Sequence, residues 1–222
     1  MKKNAFTLAE VLITLGVIGV VAAITMPTII KNYQKQMFAN KVKYTYTLLA
    51  NVYERSKLDN GEFSTWDIGT QKDVSENALS TYSSQSLEEI EAIVEKYFAP
   101  YLKIVKRTKN NSGCHLVIAN GITLSFFTDG STDANKIYTP KSIYIIASNN
   151  NNTGTYGSTS RDYSKHDIFI KIGDNKLGFF KEGNYKTNTR LGCNTNITKN
   201  LRYNCSGWIM QNGWKIPDDY PW

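Results

Sequence analysis

The N-terminal stretch constrains this chain more than any other part of its sequence. A short basic leader, Lys2-Lys3, precedes a run from Phe6 to Ile30 in which Glu10 is the single charged side chain. As an α-helix, this run measures roughly 37 Å, which is enough to cross a bilayer with some tilt. The two lysines favour a cytoplasmic N-terminus, so the rest of the chain is expected to be exported.

Glu10 needs a partner within this apolar run. A carboxylate in hydrocarbon costs on the order of a few kcal/mol, so an acid in such a segment indicates a functional site. Cleavage between Ala5 and Phe6 would create a new α-amine on Phe6. Two staggered copies would then pair the Phe6 amine of one with Glu10 of the other, and the charge would be satisfied only in the oligomer.

The string Ala5-Phe6-Thr7-Leu8-Ala9-Glu10 with its apolar continuation resembles the class III signal of type IV prepilins and type II secretion pseudopilins. The resemblance implies that a prepilin peptidase cuts between Ala5 and Phe6 and methylates the amine of Phe6. It also implies that Glu10 guides subunit docking and that Pro27 disturbs the helix near the end of the membrane segment. The family prefers Gly before the cut, where this chain has Ala5.

The same resemblance implies a structural subunit of a type IV pilus or a type II secretion pseudopilus, polymerised through its N-terminal helix with other pilin subunits. Before assembly the subunit would cross the inner membrane once, next to the assembly platform. Its head would be periplasmic or extracellular, and the filament would lie at the cell surface or in the periplasm. Two alternatives stay open: a minor pilin acting in adhesion or DNA uptake, and a membrane-anchored exported protein of another function.

An ordinary secretory signal is the other interpretation of the N-terminus, with a small-residue cleavage site at Val21-Ala22-Ala23. Glu10 inside the apolar core argues against this interpretation. The apolar stretch also continues past the site to Ile30.

These features divide the chain into a leader (1–5), a transmembrane and assembly helix (6–30), an amphipathic continuation of that helix (31–58) and an exported head (59–222). The continuation is predicted from apolar residues at three- and four-residue steps, among them Tyr33, Met37, Phe38, Val42, Leu49 and Val52. Pro27 is expected to kink the helix locally. The turn signal Asp59-Asn60-Gly61 should end it after Leu58.

The head begins with a polar segment, residues 62–85, that is predicted to be a surface loop containing Trp66 as an isolated aromatic residue. A second helix should follow, because Ser86 and Glu89 form a capping box ahead of an apolar stripe. That stripe consists of Leu87, Ile90, Ile93, Val94, Tyr97 and Phe98.

Strand patterns fill the next part of the head. Asn120-Gly121 is a hairpin turn in which both central positions favour positive φ, and Gly173-Asp174-Asn175-Lys176 marks a second hairpin. The predicted strands are Cys114–Ala119, Ile122–Phe127, Ile143–Ala147, Asp167–Ile172 and Leu177–Lys181. We therefore predict an α+β fold, in which a long N-terminal helix packs on an antiparallel sheet of about four or five strands, as in pilins. The apolar segment Trp208–Ile216 is expected to dock on this sheet.

Three cysteines fit an oxidising compartment. Cys193 and Cys205 bracket a polar loop that resembles the C-terminal disulfide loop of many type IV pilins, and a disulfide there would stabilise the fold by roughly 3 kcal/mol. Connectivity cannot be read from sequence, so pairing of Cys114 with either of the other two stays open.

Catalytic and ligand-binding patterns are weak. His115 and Cys114 are neighbours on a strand, so they point to opposite faces and cannot form a dyad, and His166 is expected on a loop surface. Asp218 and Asp219 alone are a poor calcium site, and no metal or other cofactor is predicted. The formal charge is +7, and +5 without Lys2 and Lys3, but the basic residues are scattered. Nucleic acid is therefore a possible but unsupported partner, and the chain is predicted not to be an enzyme.

Overall fold

The computed structural model describes residues 7–69, 87–110, 113–132, 138–148, 167–179, 193 and 205–220. Its helices are α1 (Leu8–Asn60), α2 (Leu87–Tyr97) and α3 (Cys205–Gln211). Its strands are β1 (Ile104–Asn110), β2 (Gly113–Ile118), β3 (Thr123–Thr132), β4 (Tyr138–Ser148), β5 (Ile168–Gly173) and β6 (Lys176–Phe179). Short 3-10 turns cover Phe63–Thr65 and Ala99–Tyr101.

The longest element, α1, is one continuous helix of 53 residues. Its buried residues lie only in the second half, at three- and four-residue steps that place them on one face: Phe38, Ala39, Val42, Thr45, Leu49, Val52, Tyr53 and Ser56. The helix ends two residues beyond the predicted Leu58, where Gly61 has a φ of +82° and its N–H donates to the carbonyl of Lys57. Glycine enters this positive-φ region without steric cost, so the chain can turn away there.

The six strands form one antiparallel sheet in the order β1-β2-β3-β4-β5-β6, in which each strand pairs with the next along the chain. The predicted fold class, a long N-terminal helix on an antiparallel sheet, is confirmed. The expected count of four or five strands was too low, because β1 was not predicted. This edge strand carries an exposed Val105, and a register shift between Ile104 and Lys106 removes the alternation of apolar and polar residues that identifies strands.

The two predicted hairpins differ in their turns. Asp174 and Asn175 have φ values of +53° and +56°, the pattern of a type I′ turn. The prediction of two positive φ values at Asn120-Gly121 was wrong, because only Gly121 has one, at +79°. The N–H of Gly121 donates to the carbonyl of Ile118, and the Ile118 N–H donates to Ile122, so a three-residue loop closes this hairpin.

The core lies between the sheet and the three helices. Alternate residues of the strands face the helices, and the rings of Phe98 and Phe126 are in contact there, with centroids 4.9 Å apart. The strand residues in this core include Leu116, Leu124, Ile143, Ile145, Ile168 and Ile170. Residues on the opposite face of the sheet, such as Phe127, Ile146 and Phe169, are also buried. The sheet is therefore covered on both faces.

Trp66 corrects the prediction of a surface loop for residues 62–69, whereas the rest of the predicted loop, residues 70–85, lies outside the described residues. It is only 5% exposed and packs among Tyr53, Phe63 and Tyr97. The surrounding sequence is polar, so no local pattern indicated that this ring would fold back onto the ends of α1 and α2. The helix predicted after this segment is confirmed as α2, whereas Ser86 of the predicted capping box lies outside the described residues.

The C-terminal segment returns to the head, as expected. Trp208 and Ile209 of α3 are buried, and α3 contacts both α1 and β5. Ser206 Oγ donates to the carbonyl of Asp167, 3.2 Å away, which ties α3 to the start of β5. Tyr220 then packs on Phe38, with ring centroids 6.5 Å apart, so the end of the described chain lies where α1 enters the head.

Candidate functional site

Within the described part of the chain, the first half of α1 has no packing partner. Its most apolar 18-residue window has a mean hydropathy of 2.3 and is 0% buried, which makes α1 long and apolar enough to cross a membrane. The exposed side chains lie on every side of the helix, and they include Leu8, Leu12, Leu15, Ile18, Val21 and Ile24. A continuous apolar surface of this extent indicates contact with a membrane or with other subunits.

Glu10 forms a capping box with Thr7 at the start of this helix. Oε2 of Glu10 accepts hydrogen bonds from the backbone N–H and from the hydroxyl of Thr7, both at 2.8 Å. In return, Thr7 Oγ1 accepts from the Glu10 N–H at 3.3 Å. Within the described residues, Glu10 Oε1 has no hydrogen-bond partner. The carboxylate is thus held at the helix start with one oxygen still available.

Thr7 is a functional residue that the sequence interpretation missed. The pattern Thr7-x-x-Glu10 is the capping-box signature, and it was readable from the sequence alone. The box also explains how α1 begins beside a carboxylate: Glu10 satisfies the N–H of Thr7, and its negative charge lies in the first turn, where the helix dipole favours it.

Thr14 and Thr25 bond to backbone carbonyls of the same helix. Thr14 Oγ1 donates to the carbonyls of Glu10 and Val11, both at 2.9 Å, and Thr25 Oγ1 donates to Val21 at 2.9 Å. Pro27 lies inside α1, which stays continuous through it. Because proline has no N–H, the helix lacks one backbone hydrogen bond there, and the predicted local kink stays a prediction. The predicted cleavage residues, Ala5 and Phe6, lie outside the described residues.

Lys41 and Asp167 lie where α1 packs on the head. Burial lowers the pKa of Lys41 to about 8, while the negative charge of Asp167 acts in the opposite direction. Asp167 itself is buried at the start of β5. The charge of Asp167 therefore acts on Lys41 across the junction of α1 and the sheet.

The C-terminal disulfide joins Cys193 and Cys205, the pair that the pilin resemblance implies, with Cα atoms 4.7 Å apart. Both residues are fully buried, and Cys205 is the first residue of α3. Cys114 is a free thiol on β2, and burial raises its pKa to about 11, with Glu91 and Glu95 adding to the effect. The disulfide therefore attaches the first residue of α3 to the segment at Cys193. Cys114 is a core residue.

The residues considered for catalysis or metal binding do not converge in the described part of the chain. His115 Nδ1 lies 2.8 Å from Ser125 Oγ on the opposite face of the sheet from Cys114. Among the described residues, no group of three or more His, Cys, Asp or Glu side chains is placed to hold a metal ion. Asp218 is exposed, and His166 lies outside the described residues.

Comparison with protein families identifies two regions. Residues 1–26 match the prokaryotic N-terminal methylation motif, which is the prepilin-type signal. This motif is found on structural subunits rather than enzymes, and with the apolar start of α1 it supports an exported, membrane-anchored subunit of the pilin and pseudopilin type. It also implies processing by a prepilin peptidase and assembly with other pilin subunits.

The second region covers most of the head and part of α1. Residues 28–171 match the model described as "Family of unknown function (DUF6613)". Comparison with curated proteins and with solved structures gave no match. Because the family model covers more than half of the chain, the chain belongs to the family of unknown function DUF6613, here joined to a prepilin-type N-terminal methylation motif.

Proposed function

We propose that the chain is the precursor of a filament subunit of a type IV pilus or type II secretion pseudopilus. In this proposal a prepilin peptidase cuts between Ala5 and Phe6 and methylates Phe6, and the subunit polymerises through α1. One observation supports it above the others: the first half of α1 is apolar and 0% buried, whereas the second half of the same continuous helix is built into the head.

The exposed half of α1 has to be buried both in the unassembled subunit and in the filament. Leu12, Leu15 and Ile18 are each 61–64% exposed, and burying one such side chain is worth roughly 1.5–3 kcal/mol. The bilayer supplies this burial before assembly, and the helices of neighbouring subunits supply it in the filament. Transfer between the two conserves apolar burial, so the driving force for assembly must come from another contact.

Glu10 is the side chain whose environment improves when the helix moves from the bilayer to the filament. In the bilayer its carboxylate is held by Thr7 alone, and the remaining cost of charge in hydrocarbon is on the order of a few kcal/mol. In the filament, the methylated amine of Phe6 in a neighbouring subunit would lie against the available Oε1. Neutralisation of the carboxylate then favours the filament and selects the stagger between neighbouring helices.

The continuous helix transmits this stagger to the head. Val42, Leu49 and Val52 are at most 2% exposed, which joins the second half of α1 to the sheet. A fixed stagger of the N-terminal halves therefore spaces the heads regularly along a filament. Pro27 is the point in α1 that lacks a backbone hydrogen bond, and we expect any bending on assembly to occur there.

The experiment is a comparison of Glu10 variants in a cell that has the assembly machinery and no other pilin. Glu10→Ala and Glu10→Gln should insert in the membrane and be cleaved, but should give no filaments in sheared fractions. Glu54→Ala, which removes an exposed carboxylate from the head half of α1, should assemble as the wild type does. Normal filaments from Glu10→Ala would contradict the docking role.

A further inference from the structure

A polar groove of about 620 Å³ lies between α1 and the turn that follows α3. Two rows of α1 side chains, each spaced four residues apart, line its helix side: Asn32, Gln36 and Asn40, and beside them Lys35, Ala39 and Lys43. Ala39 is 4% exposed, so it forms a small floor between the two lysines. The groove is thus walled by amide and ammonium donors.

The turn after α3 forms the side of the groove that faces α1. Gly213 and Trp214 have φ values of +66° and +63°, and Asn212 Nδ2 donates to the carbonyl of Lys215 at 3.1 Å. The ring of Trp214 packs on Tyr46 and Phe179, which fixes the turn against the head. This turn brings Lys215 to the groove, about 180 residues along the chain from Lys35.

The groove has an excess of positive charge. Among the described residues, Lys35, Lys43 and Lys215 line the groove together with one carboxylate, that of Asp218. The described residues give none of these three lysines an ion pair. Three ammonium groups and three carboxamides around one opening form a site for an anion that accepts several hydrogen bonds, such as a phosphodiester.

The position of the groove along α1 favours a lipid headgroup over a free anion as the source of the phosphate. Leu8–Ile30 extends about 34 Å, slightly more than a hydrocarbon core, and the headgroup layer adds about 5–7 Å beyond it. Asn32 lies about 3 Å and Lys35 about 8 Å beyond Ile30, so the end of the groove nearest the apolar half of α1 lies at the headgroup layer. Tyr33 is exposed at the same level, where amphipathic rings are favoured.

The apolar surface of α1 continues directly below the groove. Ile29 precedes Asn32 by three residues, and Val21 and Ile18 lie further down the same side of the helix. All three are more than half exposed. A ligand with a phosphate in the groove would therefore have its acyl chains along this surface.

We propose that this groove binds the phosphate headgroup of an anionic phospholipid in the leaflet on the side of the head. The inference depends on the proposed membrane crossing of α1. Lys35, the lysine of the groove nearest the headgroup layer on α1, holds the phosphate, Lys43 and Lys215 add positive charge, and the carboxamides of Asn32, Gln36 and Asn40 donate to the phosphate oxygens and to the headgroup. Bound lipid sets the depth and rotation of the unassembled subunit in the membrane.

The test uses the full chain in nanodiscs of equal phosphatidylglycerol and phosphatidylcholine, followed by native mass spectrometry of the lipids that it retains. The wild type should retain phosphatidylglycerol selectively. Lys35→Gln/Lys43→Gln/Lys215→Gln should lower that selectivity about tenfold or more. Replacement of the same three lysines by Arg should preserve it. The charge-matched control Lys103→Gln/Lys106→Gln/Lys176→Gln changes exposed lysines elsewhere on the head and should behave as the wild type does.

Equal loss of selectivity in both glutamine triples would overturn the proposal, because it would show a response to net charge alone. Displacement of the lipid by millimolar inorganic phosphate would also overturn it, since the ligand would then be free phosphate. Alkaline extraction of the same samples separates this inference from the proposed function. A chain that resists extraction but shows no lysine-dependent selectivity refutes only the lipid site, whereas a chain that is extracted refutes the membrane crossing.

Discussion

The indole of Trp66 lies flat on the phenol ring of Tyr97, with ring centroids 4.3 Å apart and ring planes 3° from parallel. Two hydrogen bonds hold the pair. Trp66 Nε1 donates to the carbonyl of Gly61 at 2.8 Å, and the N–H of Asp67 donates to the hydroxyl of Tyr97 at 2.7 Å. The stack therefore joins the end of α1 to α2, far along the helix from its apolar half.

Removal of the Trp66 ring should destabilise the head strongly. We expect Trp66→Ala to lower the free energy of unfolding by about 3–5 kcal/mol, since it leaves a large cavity in the core. Leu58→Ala is the control, because Leu58 is 85% exposed two residues before the end of α1 and its loss should cost less than about 0.5 kcal/mol. Urea unfolding of the full chain in micelles, followed by near-UV circular dichroism, measures both. Equal stability of the two variants would refute this role of Trp66.

Tyr53 carries a buried hydroxyl that, within the described residues, has no hydrogen-bond partner. Tyr53→Phe keeps the ring that packs on Trp66 and removes this group, so we expect a gain of about 1 kcal/mol at pH 7. Tyr44→Phe, at an exposed position of α1, should change stability little. Unfolding by urea at pH 7 measures the difference, and a destabilised Tyr53→Phe would show that the hydroxyl is bound after all.

The same variant should change the response to alkaline pH. Burial raises the pKa of Tyr53 from 10 to about 12, with the carboxylates of Glu62 and Glu54 adding to the shift. A raised pKa gives stability that is complete below the unfolded value and is lost as pH rises from about 10 to 12. The advantage of Tyr53→Phe over the wild type should therefore increase above pH 10. An advantage that stays constant from pH 7 to pH 11 would contradict the raised pKa.

The Cys193–Cys205 disulfide closes a loop with a sequence separation of 12, for which the chain-entropy model gives about 3 kcal/mol. Cys193→Ser/Cys205→Ser should lose roughly that amount, and α3 should exchange its amide hydrogens faster because the staple at its first residue is gone. Cys114→Ala removes the free thiol instead and should leave the protection of α3 unchanged. Hydrogen exchange of α3 compares them, and equal protection in all three proteins would exclude the disulfide as its staple.

Local patterns predicted most of the helices and strands correctly. The apolar stripe of α2, the strands on both sides of Gly121 and the hairpin at residues 173–176 depend on neighbouring residues, which the sequence shows directly. The capping box of Thr7 and Glu10 is equally local, because the spacing Thr7-x-x-Glu10 alone indicates it.

Features that depend on distant contacts were not predictable in this way. Trp66 is buried by rings from α1 and α2, although its own segment is polar. β1 is an edge strand with a register shift, and its sequence lacks the alternation of apolar and polar residues that indicates a strand. Only its pairing with β2 identifies it. The groove lysines Lys35 and Lys215 are brought together by the fold alone, and no spacing in the sequence relates them.

The measurement that tests the account most directly is the intact mass and N-terminal peptide of the chain after co-expression with a prepilin peptidase, beside an Ala5→Gly variant. We predict that both mature chains begin at N-methylated Phe6. Ala5→Gly serves as a positive control, because Gly is the residue that the prepilin family prefers before the cut. A wild-type chain that begins near Ile24, or chains of both proteins that keep Met1, would contradict the assignment of this protein as a filament subunit.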